Sequence, residues 1–307
     1  MENMKVVVML WILISFISLI IACLFADWNR KHQYEVFALN FWRTLVAAIS
    51  LSPICFFGNW PSDTSFYVIS AFIGVVSGTS AMTAFHLAAK FNGRISVLFS
   101  AVSIILTFTI WTLIDPESRQ NFTENPFKSG VIILLILSAA ISLIFMRNKD
   151  KAMPEKGYLL PVIFMGFLST TITITGKVTL PNEATQALGT QVLIMGLIIF
   201  IVQAIMSFCI VCYRNSKGIG TGFNTKKHIK CKVLYFGLIG SSGCVVSWAS
   251  IALAPNPAYV DAILMSAPIL MLAYHKIMKI EDKANPVAGT ILTVSVISLI
   301  LVQQLIP

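Results

Sequence analysis

The chain has 307 residues, 57% of them hydrophobic and only 11% charged, with a net charge of +9. Its mean hydropathy is +0.83. A soluble domain of this length needs far more charge to cover its surface, so that class is excluded. The positive excess does not mark a nucleic-acid binder, because it sits in short clusters flanking apolar segments.

Ten apolar segments fill the chain in order, at residues 6–26, 36–57, 66–89, 95–114, 129–146, 158–179, 188–213, 233–254, 259–279 and 286–305. Each is close to the ~20 helical residues needed to cross ~30 Å of hydrocarbon. None shows the period-two alternation of a barrel strand, and peptide groups in lipid need partners within their own segment. The expected fold class is therefore an all-α membrane protein of ten transmembrane helices, spans 1 to 10, with no separate soluble domain.

Span 1 contains Ile20-Ile21-Ala22-Cys23, which has the form of a lipoprotein cleavage box. The apolar run continues through Leu24 and Phe25, so the segment reads as a retained span rather than a signal peptide. The six cysteines form no disulfide framework. Cys209-Ile-Val-Cys212 has CxxC spacing but lies inside an apolar helix, where small apolar filler is the expected role.

Loops after the odd-numbered spans hold 17 of the 22 basic residues, with clusters at Arg30 and Lys31, Arg147 to Lys156, Arg214 to Lys232, and Lys276 to Lys283. The other side has only Lys5, Arg119, Lys128 and Lys177, while Arg43 lies inside span 2. The positive-inside rule then puts the odd loops in the cytoplasm and both termini outside.

A shift of 166 residues aligns Gly74–Asp115 with Gly240–Glu281 without a gap, with eight identities in 42 positions. They include Gly74/Gly240, Leu98/Leu264 and Ser100/Ser266, and Asp115 falls on Glu281. Two repeats are expected, residues 1–152 and 153–307. Each has five spans, an odd number, so the second must be inverted relative to the first.

Several residues stand out against this background. An arginine lies early in span 2 (Phe41-Trp42-Arg43), and a proline-centred motif in span 9 is followed by an acid (Ser266-Ala267-Pro268-Ile269, then Glu281). Gly130 and Gly289 open spans 5 and 10, and Lys177 closes span 6. On these residues the chain resembles the EamA-type branch of the drug/metabolite transporter superfamily over essentially its whole length. The resemblance implies a carrier working by alternating access around a cavity lined by spans 1, 3, 4, 6, 8 and 9. Tyr34 through Arg43 and Gly240-Ser241-Ser242-Gly243 are similar to S-adenosylmethionine uptake members. Two features depart from the family pattern: Val102 stands where span 4 has a proline, and the family's cytoplasmic termini oppose the charge bias.

Intramembrane polar groups are costly and each needs a reason. Arg43 either snorkels and caps carbonyls or receives an anionic group such as a substrate carboxylate; the first is slightly favoured. Thr171 and Thr175 share a face of span 6 and are expected to line a cavity, the alternative being bonds back to their own helix. Gln191, Gln203 and Asn40 are further binding candidates, with interhelical hydrogen bonding as the usual alternative. Trp248 could stack on a planar substrate, although core packing is the better expectation. Lys177 and Asp261 lie toward one side of the membrane, where a gate latch is geometrically feasible and an ordinary interfacial location for each is the equal alternative. Asp261 is also the candidate proton carrier, and Pro268 the candidate hinge. The glycines Gly74, Gly78, Gly237, Gly240 and Gly243 are read as close-packing positions, and His86 as an interfacial residue.

No Walker loop, HExxH or metal-spaced cluster occurs, so no cofactor is expected and the chain is not read as an enzyme. The expectation is a secondary transporter of a small organic metabolite in the inner or plasma membrane. Its partners would be a small-molecule substrate and the bilayer, with no nucleic acid, and a homodimer is left open. A structural membrane subunit is the alternative, and an intramembrane enzyme a weaker one.

Overall fold

A computed structural model describes residues 10–24, 35–90, 98–145, 159–181, 186–219, 223, 231–277, 279 and 285–305. The basic clusters at 30–31, 147–156 and 224–230, and Glu281, lie outside these. The described residues form helices and no strand. The helices are α1 (Leu10–Leu24), α2 (Val36–Phe56), α3 (Thr64–Lys90), α4 (Phe99–Ile114), α5 (Pro116–Glu124) and α6 (Pro126–Phe145). They continue with α7 (Leu159–Thr179), α8 (Gln186–Ser216), α9 (Cys231–Leu253), α10 (Pro257–Met265), α11 (Ala267–Ile277) and α12 (Pro286–Leu305).

Four of their starts, those of α5, α6, α10 and α12, are written in the sequence as Asp-Pro or Asn-Pro pairs. Proline at the first helical position loses no hydrogen bond, and the preceding side chain caps the orphan N–H groups. Asp115 accepts from Ser118 N at 2.8 Å, Asn256 from Ala258 N at 3.0 Å and Asn285 from Val287 N at 3.1 Å. Asn125-Pro126 has the same form at the head of α6. At the other end of α8, Gly218 adopts a positive φ of 67°, and Ile219 N reaches back to Arg214 O at 3.0 Å. This left-handed turn closes the helix at a residue without a Cβ.

Among the described residues, six helices are long and apolar enough to cross a membrane, with α10 and α11 counted together over Pro257–Tyr274, or seven if the bent pair α4 and α5 counts as one; this pair turns through 97°. Leu10–Leu24, Gly237–Leu253 and Val287–Val302 are shorter apolar helices. The helices are apolar on both faces. On α6, Leu134 and Phe145 face outward at 68% and 67% exposure, while Ile132, Ile136 and Leu143 are buried. Water would not tolerate that outer surface, whereas lipid does. This is the build of a multi-pass helical membrane protein.

The chain divides into two compact units: one of residues 1–86 and 175–253, the other of 87–174 and 254–307. Each draws helices from both sequence halves. The changeovers after His86 and after Leu253 fall 167 residues apart, one residue from the shift of the sequence repeat. In the first unit α2 packs along α8 and α9; in the second, α6 packs on α12 and α4 on α10.

Glycines set the close approaches in the first unit. A Cβ at Gly74 on α3 would stand 2.8 Å from Val202 Cβ and 3.2 Å from the Ile199 carbonyl oxygen on α8. A Cβ at Gly237 on α9 would stand 2.5 Å from Val46 Cβ and 3.0 Å from the Arg43 carbonyl oxygen on α2. Both glycines thus meet a valine and the carbonyl three residues before it, and the two contacts exchange α3 with α9 and α8 with α2. Packing therefore matches Gly74 with Gly237, whereas the sequence shift matches it with Gly240. The difference is about one helical turn, a slip that apolar helices with small faces conceal in sequence.

The second unit contains the interruption in span 9. Ser266 lies between α10 and α11, and its N–H turns onto Ile263 O at 3.0 Å. Pro268 has no N–H to continue the ladder, so the helix restarts at Ala267.

Outside the apolar segments, Asp63 accepts hydrogen bonds from both the backbone N–H (2.9 Å) and the hydroxyl of Ser65 at the start of α3. These bonds favour the ionised carboxylate and hold Asp63 below the usual carboxylate range. Its contribution is present above the unfolded-state pKa and lost as pH falls through the lower folded value. The Asp63→Ala variant is therefore expected to melt below wild type at neutral pH, with the gap closing on acidification; thermal unfolding against pH measures this.

Candidate functional site

In the first unit, three helices converge on Arg43. Its Nη2 donates to Asn40 Oδ1 at 2.8 Å on the same helix, α2, and to Gln203 Oε1 at 3.3 Å on α8. The amides carry the polarity outward. Asn40 Nδ2 donates to Ser207 Oγ at 2.8 Å, and Gln203 Nε2 donates to Ser77 Oγ on α3 at 2.6 Å. Arg43 also lies over the Phe85 ring, 5.6 Å from its centroid. Each amide thus turns its carbonyl to the guanidinium and its NH2 to a hydroxyl, which orients the whole chain of bonds. Asn40 and Gln203 are among the sequence candidates. Ser77 and Ser207 are not; Ser207 lies one turn from Gln203, a weak signal in an apolar helix, and Ser77 on α3 has no such neighbour. Gln191 lies twelve residues before Gln203 on α8, about 18 Å along the axis, and is outside this network.

The network predicts unequal effects for two similar substitutions. Gln203→Leu removes an oxygen from Arg43 and a donor from Ser77, whose hydroxyl keeps its bond to the Gly74 carbonyl, at an expected cost of about 1–3 kcal/mol. Gln191→Leu is expected to stay within about 0.5 kcal/mol of wild type. Unfolding in detergent would compare them.

Also in the first unit, Gly176 and Lys177 of α7 dock on the last turns of α9. Lys177 is 5% exposed, and its Nζ donates to the Ala252 carbonyl at 2.6 Å. A cation on a final-turn carbonyl satisfies an acceptor that the helix itself leaves open. One turn earlier, Trp248 is 4% exposed with its ring over Gly176, and its Nε1 is 3.2 Å from Cys244 Sγ. Of the two readings of Trp248, this is core packing.

The second unit holds a buried acid. Asp261 on α10 is 8% exposed, and its Oδ2 accepts from Thr107 Oγ1 at 3.1 Å and Ser103 Oγ at 3.3 Å, both on α4. Thr107 and Thr170 Oγ1 of α7 are 3.4 Å apart, and Thr170 donates to the Ser103 carbonyl at 3.3 Å. Among the described residues, all the donors to this carboxylate are hydroxyls. A hydroxyl can donate to a carboxylate or accept from a carboxylic acid, so the cluster accommodates either protonation state. Close approach of α7 and α4 makes it possible: a Cβ at Gly166 would lie 2.6 Å from Val102 Cβ.

The hydroxyl-rich run of span 6 does supply a member of this cluster, but it is Thr170. Thr171 is half-buried and donates to its own helix at Phe167 O, 2.9 Å away. Thr175, also half-buried, offers its carbonyl to Thr179 Oγ1 at 2.7 Å. Ser103 and Thr107 were not singled out in the sequence; their i,i+4 spacing in span 4 is the signal that could have found them. His86 is exposed.

No protein-family model and no curated protein matches this chain. Solved structures do: 19 chains match. One, described as "Crystal structure of protein", superposes with a TM-score of 0.65 over 96% of this chain and 98% of its own, at 11% identity. At that identity the likeness is one of fold.

Proposed function

We propose that this chain is a ten-span secondary transporter of the EamA type. It moves a small organic metabolite, such as an amino acid or S-adenosylmethionine, across the inner or plasma membrane by alternating access. The observation that carries the reading is Asp261, a carboxylate inside a membrane-spanning helix whose described donors are all hydroxyls. An acid in that setting is expensive, and intramembrane acids mark ion and substrate pathways. A purely structural bundle has no need of one.

The reciprocal glycine contacts support a duplicated architecture, and five spans per copy would make the copies antiparallel. Within this reading Asp261 carries a proton or a cationic substrate group. Arg43, fixed by Asn40 and Gln203, positions α2 against α8 and supplies the positive charge for an anionic group. The break at Ser266 before Pro268 is the hinge.

Uptake and counterflow in proteoliposomes, with S-adenosylmethionine, amino acids and cationic drugs, test the proposal. Saturable counterflow of one class is expected. Its absence for every class would overturn the carrier reading. Counterflow that persists without a proton gradient would remove Asp261 as an obligatory proton carrier. A C-terminal fluorescent-protein fusion tests the orientation: fluorescence would place the tail in the cytoplasm and refute the assignment drawn from charge bias.

A further inference from the structure

The second unit has a pocket of about 440 Å³ beneath α5, remote in sequence from Asp261 and unused by the proposed transport step. Its walls are apolar, with Ile105 and Phe108 from α4 and Ile136 and Leu137 from α6. Its roof is α5, which contributes Arg119, Phe122 and Thr123. These three are spaced i, i+3, i+4 and so share one face of the helix.

The roof is built in place. Asp115 caps α5 at Ser118 N, the Phe122 ring meets Phe108 edge-on at 6.3 Å, and Ser129 Oγ on α6 donates to Phe122 O at 2.8 Å. The 97° turn between α4 and α5 lays the roof across the end of α4; with α4 read as a span, that end falls at the level of lipid headgroups. Five ionisable side chains lie between Asp115 and Lys128. Arg119 alone lines the pocket. The two glutamates of α5 do not, and Glu124 accepts from Gln120 Nε2 at 2.7 Å. The pocket therefore combines an apolar trough open to lipid-facing helices with one cation at its polar rim.

We infer that this pocket holds one acyl chain of a bilayer phospholipid whose phosphate is engaged by Arg119. The bilayer supplies that ligand at high local concentration. The arrangement matches an amphiphile end for end: chain along α4 and α6, anion against the guanidinium.

Native mass spectrometry of the full-length protein in detergent, titrated with dioleoylphosphatidylglycerol or with dioleoylglycerol, tests this. Wild type is expected to retain one phospholipid and to hold the uncharged diacylglycerol about fivefold more weakly, the effect of one cationic side chain at an anionic headgroup. Arg119→Gln should lower phosphatidylglycerol retention to the diacylglycerol level, and Arg119→Lys should preserve most of it. Leu137→Trp, filling the trough from a half-exposed position, should abolish retention of both lipids. Equal retention of the two lipids by wild type would overturn the proposal, as would unchanged phosphatidylglycerol retention in Leu137→Trp. The wild-type comparison stands even if a variant folds poorly.

Discussion

Gly176→Ala is expected to destabilise the protein by about 1–3 kcal/mol or more, a large effect for one added methyl group. A Cβ there would stand 1.8 Å from Trp248 Cζ3 and 2.6 Å from Cε3, well inside contact distance. The ring cannot easily swing away, because it is 4% exposed and its Nε1 is held by Cys244 Sγ. The neighbouring Lys177 bond to Ala252 ties the same two helices, so backbone retreat would cost that bond as well. Gly130 and Gly189 provide controls, since a Cβ at either meets nothing within 4 Å. Alanine at those positions should be neutral or mildly stabilising, because it narrows the unfolded ensemble. Thermal unfolding of purified protein would rank the three variants. A double-mutant cycle of Gly176→Ala with Trp248→Leu should show favourable coupling, since the smaller side chain relieves the overlap.

The second large effect is functional. Asp261→Asn should lower transport by about tenfold or more, equivalent to about 1.4 kcal/mol of lost transition-state stabilisation, while leaving the fold intact. Asparagine has nearly the shape of aspartate, and its Oδ1 can still accept from Ser103 and Thr107, so the cluster stays satisfied. What disappears is the capacity to carry a charge or exchange a proton. Asp261→Leu should also melt earlier, because it leaves buried hydroxyls without their acceptor, a loss of about 1–3 kcal/mol. Proteoliposome uptake alongside melting curves separates the two. Full transport by a stable Asp261→Asn protein would refute the carrier role of this acid.

The fold was legible to unequal depth. The apolar segments could be read because lipid demands long, uncharged helices with internally satisfied backbones. The Asp-Pro and Asn-Pro starts at residues 115, 125, 256 and 285 were also there to read. Helix α5 was not foreseen, because its nine residues are mostly polar and give no apolar period.

At the candidate sites, Arg43 and Asp261 announced themselves as charges in apolar runs. Their partners did not. Thr170 and Thr171 are adjacent and chemically identical, yet one joins the Asp261 cluster while the other bonds back to Phe167 O. Only the rotation of α7 about its axis separates them. For Trp248 core packing was the better expectation, but nothing in the sequence pointed to Gly176 as the residue beneath its ring.

What the sequence determined by itself is the solvent, the long apolar helices and the list of costly groups, because these depend on local composition and spacing. Tertiary structure alone decided which hydroxyls serve the acid, which amides orient the arginine, and that each compact unit takes helices from both halves of the chain. In a helix apolar on every side, composition does not say which face turns inward; that choice comes from side-chain packing between helices, where a glycine against a valine sets the rotation.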